Sequence, residues 1–366
     1  MKKTVSVFLA LVMLLGLISA ACAENDDMKV AMVTDYNDIT DQSFNQITYE
    51  ACKAFCEANG IPFTYFKPIE YNTPERIAMI EKAIDEGFNT LVLPGYAFGE
   101  SIVEVQDAYP DVNFIVLDVG ESDLGGADLA DNVFSAVYQE ELSGYMAGYA
   151  AVKLGYRHLG FLGGMAVPSV IRFGYGFIQG ADDAADELGV DAIIEYVYGN
   201  QFYGDGDITA YMDNWYQTLG VEAVFACGGG IYTSVAEAAA KANGKVIGVD
   251  VDQAPVIDGN YGEGMTLTSA MKALALTVET MLSEVLAGNF SEYGGKIVNL
   301  GMISGEDPGL NYVQLPASTR WSDTFTEDDY RKLVSDIFSG VVNVSGSSDV
   351  MPETVRTKVN DYGSIK

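Results

Sequence analysis

The feature that most limits the fold of this chain is a rhythm of short apolar strands separated by helices of ten or more residues. Val30–Thr34 reads as a strand and Phe44–Glu57 as an amphipathic helix, with Phe44, Ile47, Ala51, Ala54 and Phe55 near one face and Gly60 as its stop. Phe63–Phe66 is a strand, Thr73 or Pro74 opens a helix that runs to Ile84, and Gly87 follows it. Thr90–Leu93 is a strand halted by Pro94 and Gly95, and a helix near Gly99–Ala108 leads to the strand Asn113–Asp118. The pattern then restarts with a helix at Gln139–Leu154, a strand at Leu159–Leu162, a long helix at Ser169–Leu188 and a strand at Ala192–Val197. A helix at Asp205–Gly220, a strand at Ala223–Phe225, a helix at Val235–Ala242 and a strand at Val246–Val249 complete it. Met265–Leu286 reads as a further helical segment, Ile297–Leu300 and Asn311–Leu315 as strands, and Asp328–Ser339 as a helix. Such alternation predicts parallel βαβ units in two consecutive α/β halves, 28–132 and 133–254, hence a two-lobed protein with a cleft.

Length and charge narrow the function. At 366 residues, 49% of them hydrophobic, the chain has enough material for two domains with their own cores. Its 52 acidic against 20 basic residues give a net charge of −32, which disfavours an unselective nucleic-acid binder. The single histidine, His158, leaves no basis for a histidine-rich metal site or a His-based hydrolase, and reads as structural or exposed. Lys2 and Lys3 precede the apolar run Val5–Ile18 and the small residues Ser19, Ala20, Ala21, Cys22 and Ala23. This is the layout of a secretory signal over 1–23, shorter than a membrane span. Ala21 and Ala23 fit cleavage before Glu24, whereas Cys22 is placed as in a lipoprotein, so the expected location is extracytoplasmic, either secreted or periplasmic or held at the cell surface through lipid on Cys22. Of the other cysteines, Cys52 and Cys56 share a helix face and read as buried thiols, because a disulfide across one helical turn is geometrically awkward. Cys227 completes the set, and no metal-ligand spacing is present.

In open parallel sheets, ligands meet the chain beyond the carboxyl ends of strands. Asp35, Asp118, Asp250 and Asp252 fall there. Each alone is adequately explained as a cap or turn residue; their joint placement is what suggests a binding site. In the first loop Ser43 or Asp41 can cap the following helix, with Phe44 either a core ring or a cleft-wall ring and Asn45 beside it as an amide. The loop Tyr198–Gly204 carries Phe202, Tyr198 and Tyr203, so two rings are placed to sandwich a planar ligand. Gly163–Gly164 and Gly228–Gly230 match neither phosphate-binding glycine pattern and suit close backbone approach or a strand-to-helix turn. Gly144 and Gly148, four apart, suit close helix packing.

Several segments resemble the basic membrane protein family, the BMP/Med/PnrA-like group of substrate-binding proteins of ABC importers. They are Asp35 with Asp41-Gln42-Ser43-Phe44-Asn45-Gln46, then Gly160-Phe161-Leu162-Gly163-Gly164-Met165, Arg172-Phe173 with Gly176-Phe177, Ile247-Gly248-Val249-Asp250-Val251-Asp252-Gln253, and Leu267-Thr268-Ser269-Ala270-Met271-Lys272. The resemblance runs from about residue 28 to 316. It implies a type I periplasmic-binding-protein fold, α/β, with two Rossmann-like lobes joined by a three-segment hinge. The lobes are then expected at 28–132 plus 255–292 and at 133–254 plus 293–366. It implies a purine nucleoside as ligand, passed to an ABC permease and its ATPase, with no cofactor, no metal and no catalysis. By position, the family's first-strand aspartate falls on Asp35, its stacking ring on Phe44, the following amide on Asn45 and the fourth-strand aspartate on Asp118. The opposing ring falls on Phe202, with Tyr198 or Tyr203 as alternatives, the ribose acceptor on Asp250 and the lysine of the T-S-x-x-K motif on Lys272. Gly229 belongs with these as a backbone contact.

The chain also departs from the family pattern, with Tyr36 and Asn37 where glycines are common and Tyr232 and Ser234 near other expected glycines. Rival readings are a same-fold binder of a sugar or another heterocycle, a secreted nucleoside-processing enzyme, and a surface sensor that works with a receptor. The stretch beyond about 316, with Arg320-Trp321, Phe325-Thr326 and the bend Gly346–Ser348, is expected to pack on the second lobe and stabilise it.

Overall fold

The computed structural model describes residues 28–35 and 37–365; the expected signal, with Cys22, and Tyr36 lie outside them. The chain separates into two compact units.

The first unit holds residues 28–35, 48–136 and 275–298. Its strands are β1 (Val30–Val33), β2 (Phe63–Phe66), β3 (Thr90–Pro94), β4 (Asn113–Leu117), β5 (Val133–Tyr138) and β11 (Lys296–Leu300), in the order β11-β5-β4-β3-β1-β2. The pairs β2–β1, β1–β3, β3–β4 and β4–β5 are parallel. Every residue of β1 and β3 is buried, as expected of strands covered on both faces. Ala31, Val33, Leu91, Leu93, Phe114 and Val116 pack against Ile80 and Ala83 of α2 (Thr73–Asp85) and Phe98 and Ile102 of α3 (Phe98–Val105).

The second unit holds 37–47, 137–274 and 299–365. It contains β6 (His158–Gly163), β7 (Ala192–Tyr198), β8 (Ala223–Cys227), β9 (Lys245–Asp250), β10 (Thr266–Lys272), β12 (Val313–Gln314) and β13 (Thr357–Ser364), ordered β12-β10-β9-β8-β6-β7-β13. Only the short β12 pairs antiparallel, on β10. Trp215, Tyr216, Val224 and Val246 centre the core on one sheet face, under α6 (Gly206–Asn214) and α7 (Tyr232–Ala242).

The other face carries α4 (Glu140–Lys153) and α5 (Pro168–Leu188). A β-carbon on Gly144 or Gly148 would lie about 2 Å from the carbonyl oxygens of Phe173 and Phe177, and one on Gly176 or Gly180 would meet those of Glu141 and Tyr145. The two helices therefore cross backbone to backbone, the close packing that the glycine spacing in α4 predicts. This crossing sets α4's first turn beside α5's.

Four sequence expectations need correction. Met265–Leu286 is not one helix: Thr266–Lys272 is β10, a buried strand parallel to β9, and a helix follows only at Leu274–Leu286. Because β10 completes the second sheet, residues 255–274 stay with the second unit and only 275–298 return to the first, against the expected return of 255–292. Loop 37–47, expected in the first lobe, groups with the second unit through side-chain bonds described below. The helix at Asp205–Gly220 also changes character, ending as a π-turn at Trp215–Leu219.

The C-terminal stretch groups with the second unit. A helix at Glu327–Phe338 starts at a capping box in which Thr326 and Asp329 bond reciprocally. Further on, the Asp182 carboxylate accepts the backbone N–H groups of Val355, Arg356 and Thr357, guiding β13 onto the edge of β7. Glu195 on β7 accepts from Asn360 and Tyr362 of β13 and lies 2.8 Å from His158 Nε2, which gives the single histidine a structural place.

Candidate functional site

In the first unit, Asp35 follows β1 and Asp118 follows β4, with β3 between the two strands. The residue after β3 is Gly95, with φ 126°. A β-carbon there would lie 2.0 Å from Asp35 Oδ2, so the glycine makes room for the carboxylate. Asp118 has φ 62°, a left-handed conformation that costs a non-glycine residue about 1 kcal/mol. Its backbone N–H is held by Ala136 O at 2.8 Å.

In the second unit, β9 ends at Asp250, buried and also left-handed at φ 65°. Ser43 Oγ donates to Asp250 Oδ2 at 2.6 Å. The capping role expected of Ser43 or Asp41 falls to Asp41, which accepts the N–H groups of Ser43, Asn45 and Gln46 at the start of α1 (Phe44–Asn59). That frees the Ser43 hydroxyl for Asp250. Gln253 fastens the same loop: its Nε2 donates to Gln42 O, and its Oε1 accepts from Val249 N.

Lys272, the last residue of β10, is 4% exposed. Its Nζ lies 3.3 Å from Glu140 Oε1 and 3.9 Å from Asp250 Oδ1. The ammonium also sits over the rings of Phe44, Tyr138 and Phe173, at 4.9, 5.3 and 5.6 Å from their centroids. Glu140 Oε2 accepts from Arg172 Nε at 2.7 Å. Arg172, Glu140, Lys272 and Asp250 thus form a chain of alternating charge, with Ser43 at its end. Such a chain persists in a buried place because each charge faces an opposite one. Burial pushes the neighbouring Cys227 thiol well above its ordinary value; Asp250 and Glu140 push it further and Lys272 opposes them, so the thiol stays protonated.

Asn45 is 2% exposed. Its Nδ2 donates to Asp41 Oδ2 at 3.1 Å, and since a carboxylate only accepts, this fixes the amide orientation and turns Oδ1 the other way. That oxygen is buried without a hydrogen-bond donor among the described residues.

The half-buried Phe202 lies on a glycine floor: a β-carbon on Gly164 would be 2.5 Å from its ring, and one on Gly228 3.2 Å. Gly229, at φ 53°, faces Asn37, whose Nδ2 donates to Phe202 O at 3.2 Å. Of the two alternative rings, Tyr198 is tied into the core by edge-to-face contacts with Phe161 and Tyr196 and by its hydroxyl bond to Tyr196, and Tyr203 is half-exposed. Asp252 has an ordinary role, accepting from Ala254 N and Ser318 Oγ at the start of Ala254–Tyr261.

The second unit therefore brings together Phe44, Asp250 and Lys272, and separately seats Phe202 with Gly229; Asp35 and Asp118 stand at the carboxyl edge of the first sheet. Sequence reasoning missed Glu140, Arg172 and Gln253. A signal existed for the first: Glu140 and Glu141 open a helix otherwise made of buried apolar and small residues. Among the described residues, no His/Cys/Asp/Glu group is arranged to hold a metal, and no helix is long and apolar enough to cross a membrane.

This arrangement can be compared with known proteins. Solved solute-binding proteins of ABC transporter systems share the fold. One from Aeropyrum pernix K1 superposes with a TM-score of 0.67 at 19% identity, over 86% of this chain and 87% of that one. One from Conexibacter woesei superposes with 0.66 at 22% identity, over 87% and 99%. In sequence, the ABC transporter nucleoside-binding protein BmpA of Lactococcus lactis is 27% identical over 94% of this chain and 99% of its own length. The model of the family described as "Bmp: ABC transporter substrate-binding protein PnrA-like" matches residues 28–306. The chain has the two-lobed type I periplasmic-binding-protein fold, and it belongs to this PnrA-like family: it is an extracytoplasmic binding protein that serves an ABC permease and ATPase by capturing a small solute, not an enzyme.

Proposed function

We propose that the captured solute is a purine nucleoside. The observation that carries this reading is the joining of an aromatic face, Phe44, to a fixed donor and acceptor, Lys272 and Asp250. A flat base stacks on such a ring with little directional demand. Vicinal ribose hydroxyls match a carboxylate that accepts and an ammonium that donates, and an unpaired buried hydroxyl costs about 1–3 kcal/mol, enough to reject a sugar lacking one. The charges of Arg172, Glu140, Lys272 and Asp250 cancel, which favours a neutral nucleoside over its phosphate esters. Asn45 Oδ1 is a buried acceptor suited to a base N–H. Phe202 is assigned to the second stacking face and Gly229 to close backbone contact. Asp35 and Asp118 are assigned to the ligand-binding set on their strand-end placement. The Lactococcus relative is a nucleoside-binding protein by name, which supports the same class.

Mass spectrometry of small molecules released from protein purified without denaturation tests the reading. A purine nucleoside is expected; a released sugar, together with no calorimetric binding of inosine, adenosine or guanosine, overturns it. The N-terminal signal supports two routes to the mature form, lipid on Cys22 or cleavage before Glu24. Metabolic labelling with palmitate separates them, since label lost in Cys22→Ala places the lipid there.

A further inference from the structure

We propose that Glu140 is the positioning residue of the binding site: held by Arg172, it fixes the Lys272 ammonium and so keeps the Asp250 carboxylate available to ligand. This rests on the reading that Asp250 and Lys272 contact the solute.

The geometry ranks the lysine's two carboxylate neighbours. Glu140 Oε1 stands 3.3 Å from Nζ, near hydrogen-bond distance, whereas Asp250 Oδ1 stands 3.9 Å away. Glu140 is fully buried and lies in the first turn of α4, where the helix dipole favours a carboxylate. Its other oxygen is taken by Arg172 at 2.7 Å. That pairing depends on the glycine crossing of α4 and α5, which sets residue 140 beside residue 172. The rings of Phe44, Tyr138 and Phe173 surround the ammonium and add cation–π attraction. Without the charge on Glu140, the chain Arg172–Lys272–Asp250 carries one net positive charge. The ammonium then draws toward Asp250, whose carboxylate must bond ligand and lysine together. Glu140 thus acts on the ligand through Lys272, which is why no ligand-facing motif reveals it.

The test pairs charge-removing, shape-keeping variants with two readouts. In the ligand-free protein, titration of the Lys272 side chain is followed by its Cε carbon resonance. Glu140→Gln is expected to lower the lysine pKa and Arg172→Gln to raise it; an unmoved titration in Glu140→Gln overturns the proposal whatever the ligand is. In calorimetry with inosine, each single variant is expected to weaken binding about tenfold or more, and the double variant Glu140→Gln/Arg172→Gln to recover part of the loss, because its buried charges again cancel. Losses that add in the double variant indicate structural damage instead and overturn the proposal. Glu140→Asp, which keeps the charge on a shorter arm, serves if the Gln variant fails to fold, and is expected to retain the lysine titration while weakening binding. Strong loss in Asp250→Asn with no loss in Glu140→Gln removes Glu140 alone; no loss in either removes the site reading as well.

Discussion

In the first unit the fourth strand is followed by Asp118 at φ 62°; in the second, β9 ends at Asp250 at φ 65°. The strand orders β5-β4-β3-β1-β2 and β10-β9-β8-β6-β7 correspond one to one, so these two aspartates hold equivalent places. Both units spend backbone strain at the same strand end. What stands beside the aspartate differs. In the first unit the neighbouring strand is followed by Gly95, whose missing side chain admits the carboxylate of Asp35. In the second, the equivalent Gly228 and its neighbour Gly164 admit the ring of Phe202. One backbone device therefore makes room for charge in one unit and for an aromatic face in the other. Asp250 joins a relay of alternating charge, through Lys272 to Glu140 and Arg172. The comparison teaches that a repeated scaffold fixes where chemistry sits, and side chains decide what it is.

The dependence of that relay on a helix crossing gives the largest expected effect. Gly148→Leu puts a side chain where Phe177 O lies 2.1 Å from the β-carbon position, and should cost about 3 kcal/mol or more, seen as a lower midpoint in urea. A wild-type midpoint would break the claim that α4 and α5 meet backbone to backbone.

A second effect is confined to the second unit. Burial, then the neighbouring charge of Glu140, raises Glu141 from 4.5 to about 7. Below about pH 4.5 the group is neutral in both folded and unfolded states. Between about 4.5 and 7 the unfolded chain releases the proton first, so stability falls as pH rises, and the loss is complete above 7. Glu141→Gln should therefore stabilise by about 3 kcal/mol at pH 8 and by almost nothing at pH 4. A gain independent of pH would point to packing against Gly346 instead.

The smallest effect sharpens the comparison from the other side. Gly95→Ala must displace Asp35, and its φ of 126° adds strain. Inosine affinity is expected to fall several-fold, measured by calorimetry, with the second unit's lysine titration unchanged.

The sequence displayed the alternating scaffold because buried parallel strands and their helices carry strong, separable patterns. It hid β10 because Met265–Leu286 is apolar without a glycine or proline break, so a buried strand and the helix after it run together. It hid β13 because TKVNDYGS is a polar edge strand, held by Asp182 and Glu195 rather than by an apolar face. The residues proposed to face the ligand were reached through family resemblance, since Asp250 alone reads as a turn residue. Glu140 stood out as a carboxylate opening an apolar helix and Arg172 lay in a family-like segment, but their pairing was beyond reach because it depends on how two helices cross, not on spacing within either.

The most direct measurement is the calorimetric affinity of Asp250→Asn for inosine. Asparagine tolerates the left-handed backbone and keeps the size of the side chain, so only the charge is removed. The account predicts a loss of about a hundredfold in protein that still folds; unchanged affinity would contradict it.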